Sequence, residues 1–417
     1  MIGAATPAWS FDDPNTFNGA ASCTQAGCHE LTSPATGAGV DRNEYDVWTR
    51  GPHAQAYQVL LTDRANRIAR NMRVGDPTQA TFCLECHAAN VPPSQQGVQF
   101  NITEGVTCES CHGGSGQWFD THSAGGVDRA TLRAQGMIPT EDPIRRAEMC
   151  LDCHFGAKDQ FAGHKLMGAG HPRISFELDS YTEINAHHTV DADYLERKTY
   201  IDGMRTAAIG QAMSIARRME LLADNQTGTI GFFPEFVFFD CHGCHAPMSV
   251  KRRASANKRG QPKLDDAHMQ MLKVLVAAAD PGLAGRIEGD LKALHRAAGQ
   301  SRGALVGAAR RMRDTALQAV QVLASEGYTA QDMQDVLRTL ASSASNGRYS
   351  DYASAEQSAL VIDSTLAAMV NNGHIDDASY DRLSTALDRV FATVQDDDSY
   401  NASRFVSAMR SFQAAIQ

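Results

Sequence analysis

VTCESCHGG, residues 106–114, sets Cys108 and Cys111 three positions apart and puts His112 directly after the second. This spacing offers two thiols, and the histidine after the second is placed to act from the same side. The same pattern recurs at Cys83/Cys86/His87, Cys150/Cys153/His154 and Cys241/Cys244/His245. A fifth group, Cys23/Cys28/His29, has four residues between its cysteines. Together the five groups use all 10 cysteines of the chain. Random placement of 10 Cys and 15 His would give roughly 0.01 C-x-x-C-H matches, and four are present. Such a group attaches haem covalently: the thiols form thioethers with the vinyl groups and the histidine ligates the iron. The expected cofactors are therefore five covalently attached c-type haems. Zinc is the weaker reading, because a zinc ribbon has no need of a histidine after each second cysteine. A disulfide framework suits a short secreted scaffold rather than 417 residues carrying 10 cysteines.

Composition points the same way. Only 43% of residues are hydrophobic and 34 are glycine, a lean supply for a core of ordinary side chains. Porphyrins would provide the missing buried apolar surface. The formal charge of -10 argues against nucleic acid and favours a redox partner with a basic patch. No stretch approaches the ~18 apolar residues that span a bilayer. Met1–Ser10 lacks a basic n-region followed by an apolar h-region. Covalent haem attachment takes place outside the cytoplasm, so the expectation is a periplasmic or extracellular protein whose signal peptide has been removed.

All ten cysteines precede residue 245, which divides the chain. The fold expected is mainly α: residues 1–248 as a loop-rich multihaem cytochrome c domain with short helices, 249–264 as a basic linker, and 265–417 as an antiparallel helical bundle. The segment 88–126 is rich in Gly, Pro and Ser, whereas Asp142-Pro143 reads as a helix start leading into Cys150. A longer helix is predicted over about 198–224, its methionines Met204, Met213 and Met219 packing in the core. The linker carries Lys251, Arg252, Arg253, Lys258, Arg259 and Lys263 without an acidic residue and reads as a solvated connection. Beyond it, helical spacing is clearest over 301–325, with Gly327 as a stop, and over 376–394. Weaker helices fit 265–279, 283–298, 329–343, 354–371 and 399–416.

A haem iron has two axial positions, and the second ligand separates an electron carrier from an enzyme. Removing the five motif histidines from 15 leaves ten. His268, His295 and His374 lie in the cysteine-free region and read as surface or packing residues. His242 lies between Cys241 and Cys244, where ligation of its own haem is sterically unfavourable; it reads as a surface histidine or a propionate contact. His53, His122, His164, His171 and one of the adjacent His187 and His188 remain as five distal candidates for five irons. Arg145, Arg146 and Arg173 are candidate propionate partners.

The segment GHKLMGAGHPRISFELDSYTEINAHH, residues 163–188, carries an H-x6-H-P element, then F-E-L, then a further histidine pair before the last motif. With WTRGPHA around His53 and VTCESCHGG around Cys108, it resembles the cytochrome c-554 family of multihaem electron carriers. The resemblance covers about residues 20–248 and leaves the helical region uncovered. It implies that His53, His122, His164, His171 and His187 or His188 are distal ligands, reaching haems other than the nearest in sequence and stacking porphyrins into close-packed chains. Five motifs and a widened first one depart from the tetrahaem pattern, which leaves one-to-one ligand assignment open. No C-x-x-C-K variant, the signature of the catalytic haem in pentahaem nitrite reductases, is present. The function expected is electron relay between a donor and an acceptor protein. Two alternatives stay open: a reductase of a small nitrogen or sulfur oxyanion at a five-coordinate haem, and a filament or scaffold cytochrome that oligomerises through the C-terminal bundle.

Overall fold

The computed structural model describes residues 16–30, 43–124, 126–158, 160–188, 190, 192–198, 200–229, 233–245 and 263–416. The fold is mainly α, and the described residues hold no strand beyond two isolated bridges, Phe17 with Gln96 and Phe239 with Leu264. The chain forms two compact units. The first is Met1–Ser175 with Thr182–Tyr200, and the second is Phe176–Tyr181 with Ile201–Gln417.

Short elements strung between cysteine groups make up the first unit. Helices Thr81–His87 and Cys108–His112 carry the second and third motifs. Helix Pro143–His154 starts on Asp142, whose side chain accepts from the Ile144 amide, and runs through the fourth. The first motif lies on the 3-10 helix Ala20–Gly27, with Cys28 as its C-cap. Core burial here is thin: Tyr57, Leu60, Leu84 and Ala88 form one small apolar cluster.

In the second unit eight long helices pack together: α1 (Gly203–Ala223), α2 (Ala267–Ala279), α3 (Pro281–Ala298), α4 (Arg302–Ser325), α5 (Ala330–Ser345), α6 (Tyr352–Asn371), α7 (Asp377–Phe391) and α8 (Ala402–Ile416). Each predicted helix is present, and local capping sets the ends. Side chains of Asp202, Asp280, Ser301, Thr329, Asp351 and Asp376 accept amide hydrogens at the N-termini of α1, α3, α4, α5, α6 and α7. Helix α4 ends at Ser325, before Gly327, where the Arg205 guanidinium takes the carbonyls of Leu323 and Ala324. A cation there satisfies the last carbonyls and the negative end of the helix dipole.

Two expectations about organisation change. Helix α1, expected with the haem domain, packs against α4, α2 and α6, so the compact units divide near residue 200 rather than 248. The physical reason is that α1 is buried almost all round, including Met204, Ile209, Met213 and Met219, and only other helices supply enough apolar surface to cover it. The basic stretch over residues 246–262 lies outside the described residues. Lys263 is no solvated linker residue, because its Nζ lies 2.7 Å from Asp266 and 3.3 Å from Asp351. Its carbonyl also accepts from the Asp240 amide, returning the chain alongside the fifth motif.

A buried polar chain fixes the crossing of residues 176–181 over the bundle. His268 Nδ1 donates to Gln211, Gln211 donates to Gln357, and Gln357 donates to the Phe176 carbonyl, at 2.7, 2.9 and 3.1 Å. Gly210 permits the approach: a Cβ there would stand 2.4 Å from Leu178 Cβ. Gly210→Ala is expected to cost about 1–3 kcal/mol through overpacking. Chemical denaturation followed by far-ultraviolet circular dichroism checks this, and an unchanged midpoint would show that Leu178 yields freely.

Candidate haem sites

Three of the motifs lie on helices. In Thr81–His87, Cys108–His112 and Pro143–His154 the two cysteines sit one turn apart, with the histidine closing the helix. None of the ten cysteines is joined in a disulfide. Among the described residues no cysteine joins a cluster of three or more metal-ligating groups, so the convergent thiolates of a structural zinc site are not formed.

Four imidazole pairs are the central geometric finding. Ring centroids lie 6.3 Å apart for His29 and His122, 6.4 Å for His53 and His154, and 6.3 Å for His87 and His171. His112 faces both His187 and His188, at 6.3 and 6.2 Å. An iron bonded on each side at about 2 Å to nitrogen, with each ring centre roughly 1.1–1.2 Å further on, needs coaxial imidazoles about 6.3 Å apart. Each pair joins a motif histidine to one of the predicted distal candidates. The planes of His29 and His122 are nearly parallel at 9°, whereas the other pairs cross at 66° to 90°. His164 opens the short helix His164–Gly168 in the first unit, and His245 closes the fifth motif in the second.

Burial favours the neutral form at five of these imidazoles, and hydrogen bonds orient several of them. Burial, helped by His188 and His187, pulls His112 down to about 3. Burial, with His53 beside it, pulls His154 down to about 4. His53, His171 and His187 are lowered by burial as well. A neutral ring is the metal-binding form, so ligation displaces no proton. The Nδ1 atoms of His87, His171 and His187 donate to the carbonyls of Ala56, Pro172 and Asn185 at 2.9, 2.8 and 2.7 Å, and His122 donates to Phe119. A carbonyl can only accept, so the proton sits on Nδ1 and Nε2 is left with the lone pair. His29 differs: its Nδ1 lies 3.2 Å from Glu44 Oε2, and His188 Nδ1 lies 3.7 Å from Oε1 of the same carboxylate. Burial opposes ionisation of Glu44, but the His188 and His29 imidazoles beside it offset this and hold the carboxyl well below its usual range.

Buried orphan donors also fit a porphyrin. Trp118 Nε1, on the ring packed edge-on against His122, and Arg146 Nε, four residues before Cys150, are buried and lack a hydrogen-bond partner among the described residues. A propionate is an acceptor of the kind they need. Arg145, by contrast, pairs with Glu148 at 2.8 Å and is exposed.

Sequence reasoning missed the carboxylates that lock the motifs together. Glu109, inside C-E-S-C-H and fully buried, accepts from the amides of Asn18 and Ser115 on Oε1 and of Gly19 on Oε2, at 2.8, 2.9 and 2.8 Å. It thereby ties the third motif to the start of the first. A charged residue between two motif cysteines was the available signal. The thiols of Cys23 and Cys108 lie within hydrogen-bonding reach, as do those of Cys86 and Cys153. Attachment points from different motifs are thus side by side.

His242 is anchored rather than free. Its Nε2 lies 2.8 Å from Asp397 Oδ1, and its ring stacks on Tyr400 at 5.6 Å and 12°. This contact fastens the fifth motif to the segment between α7 and α8.

Residues 22–113 match the model of the family described as cytochrome c554 and c-prime, a span that takes in the first three motifs and His53. No curated protein and no solved structure matches the chain. Motifs and match together mark a c-type cytochrome, similar over that span to c554 proteins, with covalently bound haem and an electron-carrier role. The remainder of the chain lies outside the match.

Removing the Glu109 carboxylate strips acceptors from three amides, so Glu109→Ala is expected to cost more than about 3 kcal/mol. Thermal melts should show the loss together with reduced haem content, and full haem content with an unchanged melt would contradict the strut. His242 is raised above its ordinary value chiefly by the Asp397 hydrogen bond, against burial. Its contribution to stability is therefore full below about pH 6.5 and is lost as pH rises through the raised folded value. The stability gap between the unsubstituted chain and His242→Asn should close over that rise. A gap independent of pH would assign the anchor to ring stacking alone.

Proposed function

We propose that this chain is a periplasmic pentahaem c-type cytochrome that relays electrons between redox partners through closely packed, mostly bis-histidine haems. The observation that carries this reading is the set of four imidazole pairs at the separation an iron requires. When bound, each haem supplies a one-electron ferric/ferrous couple. The protein's part is to attach, ligate and insulate. His29, His87, His112, His154 and His245 serve as proximal ligands, and His122, His171, His187 and His53 as the distal partners of the first four in that order. His187 is preferred to His188 because it is less exposed and its Nδ1 is committed to Asn185, whereas His188 is exposed and turned to Glu44. His164 stays a distal candidate by count.

Two imidazoles on one iron leave no position for a substrate, which favours relay over reduction of a small oxyanion. Neighbouring thiols from the first and third motifs, and from the second and fourth, support porphyrin edges close enough for fast transfer. The formal charge of -10 favours partners with basic docking faces. Haem attachment outside the cytoplasm supports the periplasmic location, and no described helix is long and apolar enough to cross a membrane.

The test is ferric electron paramagnetic resonance on the holo-protein, with haem content by pyridine haemochromogen. Five haems per chain are expected, from the five motifs. Parallel imidazole planes split the two iron orbitals that they overlap, while crossed planes leave them nearly degenerate. The His29/His122 haem should therefore give a rhombic low-spin signal, and the crossed pairs strongly anisotropic ones. Cyanide, nitric oxide and nitrite should leave these signals unchanged. A high-spin signal that responds to nitrite at one of these haems would overturn the reading in favour of a reductase.

A further inference from the structure

We propose that the arginine-bearing helix Asp63–Met72, with Val59 and Leu61 just before it, is the face on which an acidic redox protein docks to exchange electrons with the haem ligated by His87 and His171. The inference rests on the relay reading and on the bis-histidine reading of that haem. Arg64, Arg67 and Arg70 lie on the helix and Arg73 is its C-cap, and all four are exposed. Against these four cations the helix carries one acid, Asp63. Arg67, Arg70 and Arg73 make no ion pair or side-chain hydrogen bond among the described residues. The next acid along the chain, Asp76, commits its Oδ1 to the amide and hydroxyl of Thr78, at 2.9 and 2.8 Å. Like charges one turn apart repel, so this row weakens its own helix and contributes nothing to the fold in return.

The patch is tied to the backbone beside both axial ligands. Ala69 is buried on the inner side of the helix. Arg64 donates from Nε and Nη2 to the Gly170 carbonyl at 3.1 and 2.9 Å, and Asn71 donates to the Ala169 carbonyl at 3.0 Å. The residue after Gly170 is His171. His87, for its part, donates to the carbonyl of Ala56, two residues before the 3-10 helix Gln58–Leu61. On that helix Val59 and Leu61 are 45% and 57% exposed, and Thr62, directly after Leu61, caps the arginine helix. Exposed aliphatic groups beside unpaired cations give an apolar centre with a charged rim, the anatomy of a docking surface. The formal charge of -10 repels an acidic protein at long range. At about 0.1 M salt screening acts over about 10 Å, so near contact the local cations decide. Axial ligands on both sides of the patch point to a redox protein rather than to a lipid surface. A relay serves two partners, and faces of opposite charge keep those partners from competing for one site.

The experiment takes flavodoxin, a small acidic flavoprotein, as its probe. The anionic flavin hydroquinone gives one electron to a ferric haem, leaving the neutral semiquinone and a ferrous iron. Binding to the immobilised holo-protein is followed by surface plasmon resonance, and haem reduction by stopped flow, both at about 0.1 M salt. Arg67→Glu combined with Arg70→Glu should weaken binding and slow reduction roughly tenfold, within the range by which charge steering changes association rates. The same charge change on helix α4, Arg310→Glu with Arg311→Glu, should move neither. Free lumiflavin semiquinone is neutral and loses its proton to solvent as it gives up its electron. It should reduce all three proteins at one rate, which checks that their haems are intact. Equal flavodoxin binding by the unsubstituted protein and the Arg67/Arg70 variant overturns the proposal, as does an equal loss in the α4 variant. Without any variant, flavodoxin binding that is absent or that strengthens with salt overturns it as well. So does binding to vesicles of anionic phospholipid in place of flavodoxin. Haems that neither donor reduces overturn the relay reading itself, a result distinct from reduction by free flavin without docking of flavodoxin.

Discussion

Two imidazoles can share an iron only if they face each other on one line at one separation, and the first unit holds four imidazole pairs at that separation. Its helices are short and its apolar clusters small, so side-chain burial alone offers little to offset the entropy of ordering so much loop. Yet four imidazole pairs stand within 0.1 Å of a common spacing of 6.3 Å, each drawn from distant parts of the chain. Under the proposed bis-histidine ligation, every such pair would act as a cross-link. The proposed distal histidines cross between motifs, as His122 does in passing its own neighbour His112 to face His29. A network of this kind holds loops in place where a conventional core would otherwise be needed.

Buried polar groups hold that arrangement in register. Glu109 organises three amides around the first and third motifs, and Gly19 beside it adopts a positive φ of 91° that brings the backbone against Gln99. A Cβ at Gly19 would meet the Gln99 carbonyl at 2.3 Å, so only glycine allows the contact. Gln160 Nε2 similarly donates to the Glu85 carbonyl at 2.7 Å, joining the loop after the fourth motif to the second. These bonds reach across the chain, and each satisfies a group that would be costly to bury alone.

The second unit follows a different logic. There, apolar side chains supply the core, and the charged groups next to the fifth motif form a compact set. Lys263 bridges Asp266 and Asp351, His295 Nε2 lies 3.0 Å from Asp266, and Arg218 lies 3.1 Å from Asp265. Burial alone would raise Asp266, but His295 and Lys263 reverse this and hold it at about 2. The fifth motif therefore sits on a helical scaffold with fixed charges, whereas the other four sit in the unit that holds the imidazole pairs.

This contrast explains what was legible in the amino-acid sequence. Cysteine groups and helix caps are local: Asp376 with Ser379, or Ser301 with Ala304, can be read within one turn, and those helices start where expected. Counting histidines predicted how many distal candidates there should be, since stoichiometry needs no coordinates. Pairing is a property of three-dimensional packing, and no spacing rule links His53 to His154 or His87 to His171. Helix α1 was assigned to the wrong neighbour because an element that is apolar on every side carries no stripe to say what covers it. Glu44 was invisible for a further reason. It opens the seven-residue helix Glu44–Arg50, where an acidic residue is ordinary, and its partners His29 and His188 lie far away in both directions along the chain. The partners of such a carboxylate are set by packing, and that information exists only once the chain has folded.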